Sequence, residues 1–159
     1  MDKLNKLFME QLFSTLKINT TGEGFTDITR KLNQFLKKSN LSSGILILSS
    51  LHTSCSLIIN ENADPNVLVD LQNYIKAIVP NNSYQNLALN KKEIYYEHYQ
   101  EGSDDMPAHI KTALTNTSLS LSFQNQQLSL GVWQAIYLWE HRSDAKIRIL
   151  NIHIIGEKI

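Results

Sequence analysis

Val132-Trp-Gln-Ala-Ile-Tyr-Leu-Trp-Glu140, followed closely by Ile147-Arg-Ile-Leu-Asn-Ile-His-Ile-Ile155, decides the fold class. Both runs are rich in branched and aromatic residues and long enough to be central strands. With a two-residue period, Trp133, Ala135, Tyr137 and Trp139 share one face of the first, and Gln134, Ile136, Leu138 and Glu140 the other. In the second, Ile147, Ile149 and Ile155 oppose Leu150, Ile152 and Ile154. Apolar residues thus stand on both faces, so both need cover. Arg142-Ser-Asp-Ala145 forms the turn between the two strands.

Working outward, Gly44-Ile-Leu-Ile-Leu-Ser49 is a short apolar run bounded by turn residues and predicts a strand buried on both faces. Residues 54–60 predict a further strand, and 118–123 with 127–130 a hairpin around Gln124-Asn125-Gln126. Helices fall between. Asp27 suits an N-cap before Ile28, Leu32, Phe35 and Leu36 on one helical face. Asp64-Pro65 opens another helix, with Val67, Leu71, Tyr74 and Ile78 on its apolar side and Pro80 ending it. Leu4, Leu7, Phe8 and Leu12 predict a short helical extension over residues 1–10, while 11–19 reads equally as helix or strand. Residues 81–90 are polar and read as loop. The expected architecture is α+β, a single domain over 1–159: one mostly antiparallel β-sheet system with two to three helices packed on it.

Chemistry concentrates in His98-Tyr-Gln-Glu-Gly-Ser-Asp-Asp-Met-Pro-Ala-His109-Ile-Lys111. Gly102 and the aspartates read as loop, and Pro107 suits a first helical turn, so 106–115 predicts a helix with Ile110 and Leu114 on its apolar side. His98 precedes the loop and His109 lies early in the helix, so the chain can bring both imidazoles to one point. With His52 they could supply three nitrogens to a divalent metal and leave a position open, the composition of a catalytic zinc site. The same histidines could instead bind a phosphate or act as acid and base. Glu101, Asp104 and Asp105 are candidates for a ligand, for orienting a histidine, or for acid–base work, one aspartate serving as the helix cap. Asn60 and Glu61 lie where a strand gives way to a helix, a common place for site residues, and Gln134 is a polar residue in an otherwise apolar strand, a sheet brace or a substrate contact. Lys111 and Arg142 are the cations available to a phosphate, although Arg142 could simply face water. Cys55 reads as a small buried hydrophobe and His153 as a satisfied strand histidine.

His-x-x-Glu-Gly-x-Asp-Asp-Met-Pro-Ala-His-Ile-Lys resembles the hallmark of the YjbQ-like family (UPF0047), later described as a secondary thiamine-phosphate synthase. His52-Thr-Ser-Cys-Ser-Leu57 running into Asn60-Glu-Asn-Ala-Asp-Pro65, and Gly131-Val-Trp-Gln-Ala-Ile-Tyr-Leu-Trp-Glu-His-Arg142, match in the same order. The resemblance spans the chain from about Gln11 and implies a strand over 11–19. It implies a metal held by His52, His98 and His109, zinc ahead of magnesium, with Glu101, Asp104, Asp105, Glu61 and Gln134 catalytic. It also implies a small phosphorylated metabolite held by Asn60, Lys111 and Arg142. The reaction would be a transferase coupling of hydroxymethylpyrimidine pyrophosphate with thiazole phosphate, releasing pyrophosphate, in a homotrimer. The family's physiological reaction stays open, and a non-catalytic metal- or metabolite-binding protein is the alternative. Val132 and Ala135 stand where the family commonly has threonine and glycine, and Ile58 where threonine is usual.

The remaining properties argue against a nucleic-acid or membrane partner, with a local basic patch left open. Fifteen basic residues balance fifteen acidic ones, so no global field draws the chain to nucleic acid or anionic lipid. No apolar run approaches the roughly 20 residues of a membrane span. One cysteine cannot make an internal disulfide. A soluble cytoplasmic protein without an export signal is the expectation.

Overall fold

Strands β9 (Gln134–Glu140) and β10 (Ile147–Lys158) form as their alternation requires, but they enter different sheets of the computed structural model, which describes residues 9–158. β10 lies in a five-stranded sheet of order β1-β10-β3-β7-β8, with β1 Met9–Asn19, β3 Leu41–Ser50, β7 Ser118–Gln124 and β8 Gln127–Leu128. β9 is the middle strand of a three-stranded sheet between β2 (Gly24–Asp27) and β4 (Cys55–Glu61). Every pairing is antiparallel. The fold is α+β, with three α-helices among the described residues: α1 (Thr29–Lys38), α2 (Pro65–Ile78) and α3 (Asp105–Leu114).

The two sheets pack face to face. Leu46 and Leu48 of β3, Leu121 and Phe123 of β7, and Leu150, Ile152 and Ile154 of β10 meet Leu57 of β4 and Ile136 and Leu138 of β9. Leu32 and Leu36 of α1 join that core. On its other side the three-stranded sheet is covered by α2 and α3, where Trp139, Phe25 and Ile58 pack against Leu71, Ile75, Val79 and Ile110. β9 is therefore buried on both faces from Ala135 to Glu140. Between the sheets Glu140 is fully buried and bonded by the Arg148 guanidinium, whose Nε lies 2.7 Å from Oε2. The other donors to Glu140 are the Thr20 hydroxyl and the backbone N–H groups of His141 and Arg142. Such a pair tolerates burial because the carboxylate's lone pairs are hydrogen-bonded. It also fixes the chain at the end of β9, where the candidate site begins.

Several expectations need correction. β3 is buried on one face only: Leu46 and Leu48 are inaccessible, whereas Ile45 is 49% exposed, because none of α1, α2 and α3 covers the outer face of the five-stranded sheet. Leu12, assigned to a starting helix, lies in β1, paired to Ile154; residues 1–8 of that helix lie outside the described residues. Asp27 ends β2 and bonds the Thr29 N–H, one residue earlier than a cap at the helix boundary. Asp64 caps α2 as expected. That helix buries Ile75, while Tyr74 and Ile78 are exposed, so the apolar face is rotated by about one residue. In α3, Leu114 is exposed and the buried positions are Asp105, Pro107, Ala108, Lys111 and Thr112. The loop at 81–90 contains a strand: β5 (Ser83–Asn86) pairs with β6 (Lys92–Tyr95) in a separate hairpin.

Candidate functional site

Gly102 adopts φ +115, a conformation glycine tolerates, and turns the chain into α3. Asp104 precedes the helix without capping it. Its Oδ2 instead accepts from the Ser143 N–H (2.7 Å), the Ser143 hydroxyl (2.8 Å) and Arg142 Nε (3.3 Å). Partial burial works to raise its pKa, but the Ser143 hydrogen bonds and the Arg142 charge outweigh it and hold the carboxyl below its ordinary value.

Asp105 is the first residue of α3, buried, and His109 stands four residues on, over the same face. Asp105 Oδ2 lies 2.7 Å from His98 Nε2, and Oδ1 lies 3.6 Å from His109 Nε2. The two imidazole centroids are 5.3 Å apart. One ligating atom from each of His98, Asp105 and His109 falls within 4.8 Å of the others. His109 Nδ1 lies 2.9 Å from the Thr53 carbonyl, which can only accept, so the proton sits on Nδ1 and the Nε2 lone pair faces Asp105. Asp105 Oδ2 is buried without a hydrogen-bond donor among the described residues, the close His98 contact lacking hydrogen-bond alignment. A buried carboxylate between two imidazole nitrogens, with its Oδ2 lacking a donor, fits a divalent cation, which would satisfy that oxygen.

The group sits between two concavities. A hollow of about 700 Å³ beside His98 is walled by Tyr95, Tyr96, Tyr99, Asn81 and Asn82. A groove of about 610 Å³ beside His109 is lined by His52, Thr53, Thr112 and Thr117. Among the described residues no lysine or arginine lines either one.

Other candidates are placed differently. His52 shares the groove with His109 but stands outside the compact group; its Nε2 accepts the Ile149 N–H at 2.7 Å, continuing the β3–β10 ladder with a side chain. Burial, then the charge of Arg148, lowers its pKa, consistent with that acceptor role. Lys111 is buried and bonds Glu23 Oε1 at 2.7 Å, so its ammonium braces the fold. Arg142 is buried too. It donates to Asp105 Oδ1, Asp104 Oδ2 and the Glu101 carbonyl. Both cations are thus engaged by protein acceptors. The Glu101 side chain is 77% exposed, its carboxylate 3.7 Å from Arg142.

Asn60, Glu61 and Gln134 lie at the far end of β4 and β9, where Glu61 pairs with Gln134, whereas Cys55 pairs with Glu140 at the near end. Six residues of strand separate the ends by about 20 Å. Gln134 is exposed and its Oε1 accepts the Gly131 N–H, so it braces a turn; with Trp133, Asn60 and Glu61 it borders a separate depression. Cys55 is buried with its thiol 3.2 Å from the Ser50 hydroxyl, and burial pushes its pKa up, as suits a small hydrophobe. His153 stacks on Phe13 as a strand residue. Sequence reasoning missed the Thr53 carbonyl, the tyrosine hollow and Glu23. A backbone acceptor leaves no trace in residue identity, and Glu23 sits in a turn far from Lys111 in the chain.

The model of the family described as UPF0047 protein YjbQ-like matches residues 14–157. The chain belongs to that family. A UPF0047 protein of Synechocystis is 39% identical over 142 residues, covering 89% of this chain and 90% of the relative. The UPF0047 protein YjbQ of Escherichia coli O157:H7 is 37% identical over 144 residues, covering 90% and 96%. Among solved structures, a YbjQ-like protein of unknown function from Sulfolobus solfataricus superposes with TM-score 0.79 over 94% of this chain and all of its own; at 21% identity it speaks for the fold alone. A conserved hypothetical protein from Thermus thermophilus gives 0.70 at 29% identity, covering 87% and 97%. Within the YjbQ-like chain, the three motif blocks contribute to the centre unequally. The block of His98 and His109 builds it, the block of His52 supplies the Thr53 carbonyl, and the block of Gln134 supplies Arg142 from its far end.

Proposed function

We propose that this chain is a metal-assisted enzyme whose centre is His98, Asp105 and His109. The observation that carries the reading is the convergence of two imidazole nitrogens on one buried carboxylate, whose Oδ2, beside His98, lacks a donor. Two nitrogens and one oxygen with open positions suit zinc or a similar transition metal better than magnesium, which prefers oxygen. A divalent ion bound there would polarise a substrate oxygen or lower the pKa of a water. His98, Asp105 and His109 would hold it, Thr53 would keep the His109 proton on Nδ1, and Glu101, an exposed carboxylate on the same loop, would be available to move a proton.

For the reaction, the family resemblance supplies a thiamine-phosphate-synthase-like transfer in which a carbon–oxygen bond to pyrophosphate breaks. Lys111 and Arg142 are engaged by carboxylates, so neutralising a departing pyrophosphate would fall to the centre itself. The same engagement favours a second reading, a protein that binds a metal or phosphorylated metabolite without turnover. The lone cysteine suits a cytoplasmic setting; among the described residues no helix is long and apolar enough to cross a membrane.

Metal analysis of untagged protein tests the centre. His98→Ala, His109→Ala and Asp105→Asn should each lose most of the bound metal, while His52→Ala retains it and loses only about 1 kcal/mol of stability from one ladder hydrogen bond. Full retention in the first three variants removes the proposal. Glu101→Gln then separates the readings: an enzyme loses turnover with its metal retained, a binding protein loses neither.

A further inference from the structure

Arg142 lies two residues past the end of β9, where a surface arginine would be unremarked, yet it is buried and all three of its guanidinium nitrogens are engaged. Nη1 takes Asp105 Oδ1, Nε takes Asp104 Oδ2, and Nη2 takes the Glu101 carbonyl at 2.5 Å. Its own backbone N–H is held by Glu140, the carboxylate that Arg148 anchors between the sheets. The fork therefore reaches from the rigid interior to three points on the loop that carries the centre. It also divides the two oxygens of Asp105. Oδ1 is taken by the guanidinium, and Oδ2 is left beside His98 without a donor. A carboxylate pinned on one oxygen cannot rotate freely about χ2, so the free oxygen keeps its direction. The planar, fixed geometry of guanidinium is what allows this, and an ammonium would not reproduce it.

From this geometry we infer that Arg142 is a positioning residue for the centre, fixing the Asp105 carboxylate between the two imidazoles with Oδ2 presented beside His98, rather than a contact for substrate. The inference rests on the centre proposed above. It reassigns the one arginine of the motif blocks from ligand recognition to orienting a ligating carboxylate, a role whose loss typically costs about 10–100-fold in metal affinity.

The test compares Arg142→Lys with Arg148→Lys. Both weaken a buried arginine–carboxylate pair, but Arg148 bonds Glu140 and Ser54 and touches none of the three centre residues. Two readouts are taken on each protein: Co²⁺ affinity with the visible absorption of the bound ion, and the imidazole ¹⁵N shifts of His98 and His109 without metal. Arg142→Lys should weaken Co²⁺ binding at least about tenfold, change the absorption band, and move the His98 nitrogen shifts as Asp105 swings away. Arg148→Lys should lower the melting temperature and leave the band and shifts in place. Unchanged affinity, band and shifts in Arg142→Lys overturn the inference. Equal changes in both variants also overturn it, since the effect would then be loosening of the fold. If the wild-type protein binds no Co²⁺, the centre as a metal site fails, and the metal-free His98 shifts alone decide whether Arg142 positions Asp105.

Discussion

His141 is buried with Nε2 2.9 Å from the Ser56 hydroxyl and Nδ1 without a partner among the described residues. Burial, reinforced by the charges of Lys111 and Arg148, pushes its pKa down from 6.5 to about 3. The folded protein therefore keeps this ring neutral where the unfolded chain would protonate it. Stability from this group is fully present above pH 6.5 and is lost as pH falls toward about 3, at up to about 1.4 kcal/mol per pH unit. Urea denaturation between pH 7 and pH 4 checks this. His141→Gln should show a shallower loss of stability than wild type, and parallel curves would refute it. The sequence gives no warning of this residue. His141 follows an apolar strand just as His153 sits within one, and only the packing of α2 and α3 over Trp139 buries the first and not the second. His98 and His109, by contrast, were legible, because Gly102 and Pro107 fix a turn followed by a helix start between them.

At the scale of elements, α3 departs from ordinary amphipathic packing. It presents Asp105 and Lys111 to the interior, and each has a partner from a distant part of the chain. Lys111 Nζ meets Glu23 Oε1 at 2.7 Å, and Lys76 of α2 meets Oε2 at 2.8 Å, so one carboxylate before β2 joins two helices. Glu23→Gln should leave a buried ammonium unpaired and destabilise by about 3 kcal/mol, whereas Lys76→Met, at an exposed pair, should cost under about 1 kcal/mol. Thermal denaturation of the two variants decides; similar small losses would mean Lys111 finds water. Periodicity located β9, β10, α1, α2 and the β7–β8 hairpin, whose turn residues Asn125 and Gln126 both take positive φ. It could not tell that β9 and β10 belong to different sheets, since alternation records faces and not neighbours. Nor could it resolve β1, where Leu16 and Ile18 face the core and Phe13 faces out. A strand with apolar residues on both sides loses its two-residue signature.

For the whole molecule, the outer face of the five-stranded sheet sets the last expectation. Phe13 of β1, Ile45 of β3, and Ile147 and Ile149 of β10 are exposed there, with Ile47 and Ile155 half-buried between them. The strand registers make them neighbours: Phe13 and Ile47 both flank His153, and Ile45 pairs with Ile155. Helices α1, α2 and α3 pack elsewhere, so among the described residues nothing covers it, and monomers seldom leave contiguous apolar patches beyond a few hundred square ångströms uncovered. We propose that other copies of the chain cover this face, in the homotrimer the family resemblance implies. Light scattering at micromolar concentration should give about three times the 18.2 kDa of one chain, and Ile45→Lys should give a monomer that is still folded. Assembly should also reach the candidate site. Leu51 is exposed at the end of β3 and bonds Ile149, whose own N–H is held by His52, a wall of the groove beside His109. A copy seated on the sheet would close that groove from one side, so Ile45→Lys should weaken ligand binding at the groove while His98, Asp105 and His109 keep their metal. A stable wild-type monomer, or an Ile45→Lys trimer, would refute the assembly.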